Sequence, residues 1–343
     1  MLLSLYSGCG GFDLGFQQAG FNIGLAYDNN RPAIESWNLN ASTASSRARL
    51  ADITQLTLSD LDANFNGYFR PTGVVGGPPC QSFSRANSHK RHRDRRTDHV
   101  TCFVDLAMAI HVHRTPLSFI VMENVPELCK HNHGEFLQFQ KDKLSSQFYI
   151  YDFVLNARDV GTPQNRIRYF MIASATPIPS MDKLHLRHTY QVNTVRQAIA
   201  ALPEPVYFDQ AREGIFPMTH TNHWCMTPRS PRFHDGSLAN AQGRYKSFKV
   251  LQWDQPSPTV SYGHREVHVH PHGHRRLSVY EAMLLQGFPS RYVLRGPMSS
   301  QFEQVSQAVP PALSHAVAQL VLTATSTASQ PRSYSRFTMS SSG

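Results

Sequence analysis

One thiol stands on a segment built to hold it still. Residues 76–84 read Gly76-Gly77-Pro78-Pro79-Cys80-Gln81-Ser82-Phe83-Ser84 and follow Thr72-Gly73-Val74-Val75, a β-branched run ending a buried strand. Two glycines and two prolines impose a stiff loop, so Cys80 is displayed at the C-terminal end of that strand, where open α/β sheets do their chemistry. Glu123-Asn124-Val125 closes a second apolar strand, Phe119 to Met122, and brings a carboxyl to the same edge. Gln164-Asn165-Arg166-Ile167-Arg168 leads into a third; in extended backbone Gln164, Arg166 and Arg168 share one face. A thiol, a carboxyl and forked cationic donors suit nucleophilic attack on an aromatic heterocycle. On the loop alone, a small buried cysteine packing a turn fits equally well.

A second group of residues reads as a cofactor pocket. The first strand runs into Tyr6-Ser7-Gly8-Cys9-Gly10-Gly11-Phe12-Asp13-Leu14-Gly15, directly before a helix. Glycines there let a ligand approach main-chain N–H groups at a helix N-terminus. The spacing is neither the dinucleotide G-x-G-x-x-G nor a P-loop, because no Gly-Lys-Ser/Thr follows. Asp28, at the tip of the second strand, is placed to accept hydrogen bonds from ribose hydroxyls, and Asp52-Ile53 offers a carboxylate for an adenine amino group. A glycine turn and a ribose acid without a phosphate cradle fit S-adenosylmethionine better than NAD; a structural turn with two solvated aspartates is the plainer alternative.

The elements that must position these groups alternate over the first 175 or so residues. Leu2 to Tyr6, Asn22 to Tyr27, Val74-Val75, Phe119 to Met122, Tyr149 to Leu155 and Tyr169 to Ala173 read as strands. Phe12 to Ala19, Arg31 to Leu39, Cys102 to His113 and Glu135 to Ser145 read as helices. Such alternation implies a doubly wound, mostly parallel sheet, a Rossmann-like α/β fold. Residues 178–272 change texture, rich in Pro, His, Arg, Gly and Asn, and predict a smaller irregular lobe; helical pattern returns at Leu277 to Gln286 and Pro311 to Thr323. The expected division is 1–177 catalytic, 178–272 recognition, 273–325 a return to the catalytic domain, and 326–343 a disordered tail.

The chain has 343 residues, 41% of them hydrophobic, enough for a substantial core. No apolar run approaches the ~20 residues of a membrane span, and the apolar start lacks a basic leader, so it reads as a core strand rather than a signal peptide. Five cysteines without a C-x-x-C pair disfavour a disulfide scaffold or zinc ribbon and suggest a reducing, cytoplasmic setting. A formal net charge of +9 points to a polyanionic partner.

Taken in order, these motifs resemble the DNA (cytosine-5)-methyltransferase family over nearly the whole chain. Arg276-Leu277-Ser278 through Glu281 to Leu285-Gln286-Gly287-Phe288-Pro289, Pro256 to Val260, and Gln304 to Pro311 resemble its later motifs. The resemblance implies S-adenosylmethionine as cofactor, bound by Tyr6, Ser7, Gly8, Gly10, Gly11, Asp28, Asp52, Ile53, Pro79, Gln307 and Val309. It implies Cys80 as nucleophile on cytosine C6, Glu123 at N3, and Arg168 with Arg166 at O2. It implies duplex DNA with a flipped base as substrate, contacted by Ser82, Arg85, Lys90, Arg91, Arg93, Arg95, Arg96 and Gln164, in a monomer whose cognate restriction endonuclease, if any, acts separately. Gln307 stands where the family has Asn, and Asp28 where Glu is commoner. His268, His270, His272 and His274 alternate, with His264 nearby, but a DNA- or solvent-facing turn is expected there and no metal. Two rivals stay open: a tRNA cytosine methyltransferase on the same fold, whose Cys-Phe-Thr signature is not seen, and a catalytically silent DNA-binding regulator.

Overall fold

The computed structural model describes residues 1–41, 46–79, 99–129, 134–178, 193–216, 219–238, 247–259 and 267–328. Strands and helices alternate from the start: β1 (Leu2–Leu5), α1 (Gly11–Gln18), β2 (Ile23–Asp28), α2 (Arg31–Leu39), β3 (Arg47–Leu50), α3 (Leu58–Phe65), β4 (Gly73–Gly76), α4 (His99–His113), β5 (Phe119–Asn124), α5 (Gly134–Ser145), β6 (Tyr149–Asn156), β7 (Gln164–Asn165) and β8 (Ile167–Ser174). The caps explain several starts. The Asn30 side chain accepts from the Ala33 amide with Pro32 in the first turn of α2, and Thr57 and Asp60 form a capping box for α3.

Seven strands form one sheet in the order β3-β2-β1-β4-β5-β8-β6. The pairs β1–β2, β2–β3, β1–β4 and β4–β5 are parallel, whereas β8 runs antiparallel to both β5 and β6. The reversed strand matters for the site. Asn124 pairs with Tyr169 and Glu123 with Phe170, so residues that precede β8 reach the edge where the parallel strands end.

Apolar side chains alternate across the sheet and are covered on both sides. Leu3, Leu5, Val74, Ile120 and Met122 pack with Phe103, Val104, Ala107 and Ile110 of α4; Leu2, Val75, Val121 and Phe170 pack with Phe12, Phe16, Leu313, Val317 and Val321. This is the doubly wound, Rossmann-like arrangement that the alternation predicts. The helix Pro311–Ala328 supplies much of the second layer, packing on α1.

The described residues between 193 and 259 hold short elements: helices Val195–Ile199 and Phe208–Arg212, a 3-10 turn Pro231–Phe233, and two-residue pairings of Val206–Tyr207 with Trp224–Cys225, of Ser257–Pro258 with β7 and of Lys249–Val250 with His268–Val269. Small apolar clusters around Leu251 and Phe233 serve this region. Helices Val279–Gln286 and Met298–Gln307 precede the last one. Several boundaries differ from expectation. Helix α4 starts at His99 rather than Cys102, and the last helix runs through Ala328, so the first three positions of the expected tail are helical; 329–343 lie outside the described residues. Strand β3 and helices α3 and Met298–Gln307 add to the elements that periodicity predicts.

Candidate active site

A cavity of about 460 Å³ opens at the edge where the parallel strands end. One end is built by the turn after β1. Tyr6 is held at φ 55°, a left-handed conformation that costs a non-glycine residue about 1–3 kcal/mol and persists where the surroundings enforce it. Its hydroxyl lies 3.2 Å from His99 Nδ1, tying the turn to the start of α4. Gly10, at φ 92°, admits no side chain: a Cβ would stand 2.8 Å from Trp37 Cδ1 and 2.8 Å from the Tyr292 hydroxyl. Beneath the turn, Asp13 is buried and accepts from Ser4 Oγ at 2.5 Å and Trp37 Nε1 at 2.6 Å, which binds α1 to β1 and α2. Asp28 braces the turn from β2. Its Oδ2 accepts from the Gly8 amide at 2.8 Å and its Oδ1 from the Asn30 amide at 2.9 Å. Burial nonetheless raises its pKa above the ordinary carboxylate value, with those backbone donors opposing.

The lining at this end suits a nucleoside without phosphates. Tyr6, Ser7, Gly8, Asp28, Asn29 and Asn30 supply polar atoms but no lysine or arginine. The Ser7 hydroxyl is buried without a hydrogen-bond partner among the described residues, so a bound ligand would satisfy it. A nucleoside whose ribose hydroxyls meet the carboxylate of Asp28 fits this donor set.

The other end of the same cavity carries a carboxyl and two guanidiniums. Glu123, buried at the end of β5, has its Oε1 2.9 Å from Arg168 Nε. Burial raises the Glu123 pKa, and the guanidiniums of Arg168 and then Arg166 pull it back. Arg166 is buried, and its NH2 donates to the Ser306 carbonyl at 2.8 Å. Gly77 is tight against this carboxyl: a Cβ there would lie 3.0 Å from Glu123 Oε2. Asn124 Nδ2 donates to the Pro78 carbonyl at 2.9 Å, which fastens the Pro78-Pro79 segment to β5. The arrangement can hold a planar, hydrogen-bonding ring edge-on between a carboxyl and two guanidiniums, one end of a pocket whose other end fits a nucleoside.

The expected residues are distributed as follows. Tyr6, Ser7, Gly8, Asp28, Pro79, Glu123, Arg166, Arg168, Gln307 and Val309 line the cavity. Gly10 and Gly11 stand behind the lining and shape the turn. Asp52 and Ile53 are not among the lining residues; Asp52 is exposed, caps a short 3-10 turn and accepts from Thr54 N at 3.0 Å. Gln164 is fully buried under the Ser257–Pro258 pairing, with no partner for its amide among the described residues, rather than presented on a DNA-facing surface. Cys80, Ser82, Arg85, Lys90, Arg91, Arg93, Arg95 and Arg96 lie outside the described residues, Cys80 immediately after Pro79. Three further contributors come from the structure. Asn124 is legible beside Glu123, whereas His99, and Glu303, whose Oε1 accepts from Gln307 Nε2 at 3.0 Å, carry no local motif.

Residues 1–322 match the family model described as C-5 cytosine-specific DNA methylase. Among curated relatives, the type II methyltransferase M.MthTI of Methanothermobacter thermautotrophicus is 29% identical, covering 93% of this chain and 96% of that protein. The type II methyltransferase M1.HphI of Haemophilus parahaemolyticus is 31% identical, covering 93% and 86%. A crystal structure of a prophage-encoded E. coli protein assigned as a DNA modification methyltransferase superposes with a TM-score of 0.78 at 20% identity, covering 95% of this chain and 99% of that one. The S. pombe Dnmt2 methyltransferase structure superposes at 0.66 with 18% identity, covering 94% and 98%.

Proposed function

The chain belongs to the C-5 cytosine-specific DNA methylase family and is a DNA (cytosine-5)-methyltransferase; on that premise we propose that it methylates a cytosine flipped out of duplex DNA, through a transient bond from Cys80 to C6. The observation that supports this reading is the placement of the Glu123–Arg168 pair in one cavity with the turn braced by Asp28. A base-binding end and a nucleoside-binding end within one pocket are what methyl transfer between two heterocycle-bearing partners requires.

In the proposed reaction the Cys80 thiolate adds to C6, breaking the C5–C6 π bond and moving electron density onto C5 and N3. Glu123 gives N3 a proton, or a hydrogen bond, as that charge develops. Arg168 and Arg166 hold O2 and favour the thiolate by their charge. S-adenosylmethionine, when bound, supplies an electrophilic methyl group at C5. A base then removes the C5 proton, the C5–C6 double bond re-forms, Cys80 leaves as thiolate, and N3 returns to Glu123 any proton it took. Cys9, Cys225 and Cys129 are poor candidates: burial pushes the Cys9 and Cys225 thiols up to about 12, and raises Cys129. Asn124 is a positioning residue, since it fixes Pro78 two residues before Cys80.

We assign 178–272 as the target-recognition lobe and the duplex as the polyanion matched by the net charge of +9. Because curated relatives are named type II methyltransferases, a restriction–modification context is proposed as well. The test offers labelled S-adenosylmethionine with duplex DNA, with DNA carrying 5-fluorocytosine, and with tRNA. Label transfer to DNA and a denaturant-stable adduct at Cys80 are expected, and Cys80→Ser should bind DNA without forming either. Transfer to tRNA alone would select the RNA enzyme, and no transfer at all the silent regulator.

A further inference from the structure

Away from the cavity, three imidazoles meet at one tight turn. His268–Val269 pairs with Lys249–Val250, after which the chain reverses through His270-Pro271-His272-Gly273-His274-Arg275. The His270 amide donates to the Arg275 carbonyl at 2.9 Å and the Gly273 amide to the His270 carbonyl at 2.8 Å, with Gly273 at φ 77°. In a strand, alternate residues would line one face and run apart at roughly 6–7 Å per pair. The turn instead folds His270, His272 and His274 together. Ligand atoms of all three lie within 4.8 Å of one another, and the ring centroids are 4.9, 5.4 and 6.0 Å apart.

We propose that His270, His272 and His274 bind a first-row divalent transition metal ion of the zinc class, which clamps this turn. A triad of imidazoles is the donor set that zinc, nickel and copper prefer and that magnesium and calcium do not. Bonds of about 2.0–2.1 Å require the three nitrogens to close to roughly 3.4 Å around a tetrahedral ion. His272 is exposed and His274 half-buried, so their rings have room to make that adjustment, while buried His270 is fixed by Trp253, edge-on at 5.2 Å. Glu204 orients another donor. It lies 3.3 Å from His274 Nε2 while accepting from Arg275 Nε at 2.7 Å, so that Nδ1 is the His274 atom free of the carboxylate and the one that would ligate. A carboxylate behind a ligating imidazole is the usual support of such sites. The ion takes no part in the methyl-transfer chemistry; it holds the chain where it passes from the irregular region to the helix Val279–Gln286.

The experiment uses full-length protein without an affinity tag, stripped with chelator and dialysed. Zinc is titrated in competition with a chromophoric chelator, and X-ray absorption is recorded on the loaded protein. One zinc per chain is expected, with three imidazoles in its scattering shell. The double variant His272→Ala, His274→Ala should lose stoichiometric uptake, and His113→Ala, on the exposed side of α4, should retain it. No stoichiometric zinc in the wild-type protein, equal uptake by the double variant, or a shell without three imidazoles would each overturn the proposal; the last needs no variant to fold.

Discussion

At the scale of single residues the proposed reaction turns on how Glu123 keeps or gives up a proton. Its pKa is raised chiefly by burial, and Arg168 and Arg166 moderate that rise without cancelling it. A carboxyl whose pKa is raised stays protonated to higher pH, so the form able to donate to N3 is lost as pH climbs through the folded-state value. Single-turnover methyl transfer should therefore show a descending alkaline limb. In Arg168→Ala the nearest opposing charge is gone, and that limb should move to higher pH although the rate itself falls. Glu123→Gln should slow transfer about 10²- to 10⁴-fold, the range of a positioned acid or base, and abolish the limb. A rate–pH profile identical in wild type and Glu123→Gln would remove the residue from the reaction. DNA affinity measured alongside separates this effect from misfolding.

At the scale of elements, Asp13 is where three of them are fastened and where pH reaches the fold. Its pKa is raised from 3.8 to about 6 by burial, against hydrogen bonds from Ser4 and Trp37. The folded state thus holds a proton that the unfolded chain releases near pH 4. The sign follows: stability from this group is greatest below about pH 4, declines as pH rises, and is fully lost above about 6, a change of ~3 kcal/mol. Asp13→Asn does not titrate, so the stability difference between variant and wild type should shift by most of that amount in the variant's favour from pH 4 to 7, read by denaturant unfolding. A constant difference across the window would contradict the assignment. The core strands are largely legible in the sequence, because Leu2–Leu5 and Phe119–Asn124 are buried throughout and Ile23–Asp28 is buried up to Asp28. Strand β3 is not: Arg47-Ala48-Arg49-Leu50 buries only Ala48, and an edge strand needs no apolar face. Helix α3 does carry a signal in its Thr57-x-x-Asp60 box. Strand direction has no periodic signature, so the reversal of β8 that delivers Arg166 and Arg168 to the edge leaves no trace in the residue pattern. In the same way Asp28 and Glu123 can be placed at strand tips, but spacing alone does not separate Asp52 from the lining.

At the scale of the whole molecule the question is how a chain with a formal net charge of +9 engages a far more charged polymer. Each lysine or arginine that neutralises a phosphate releases condensed counterions, so the logarithm of affinity falls with the logarithm of salt by about 0.9 per contact. Lys90, Arg91, Arg93, Arg95 and Arg96 are concentrated between positions 90 and 96, in a stretch that closely follows Cys80, the proposed nucleophile, whereas the only lysine or arginine side chains lining the described cavity are Arg166 and Arg168. Those two are occupied by Ser306 and Glu123, so phosphate binding must draw on cations elsewhere. Replacing the five by glutamine should therefore flatten the salt slope of duplex binding by as much as ~4–5, in proportion to how many of them meet phosphate. The single-turnover rate at saturating DNA and low salt should fall less than the affinity does, because the base and cofactor contacts proposed at Glu123 and Asp28 are untouched. An unchanged slope, measured by titration of a fluorescent duplex across a salt series, would assign the phosphate contacts to other cations and leave this run a solvated face.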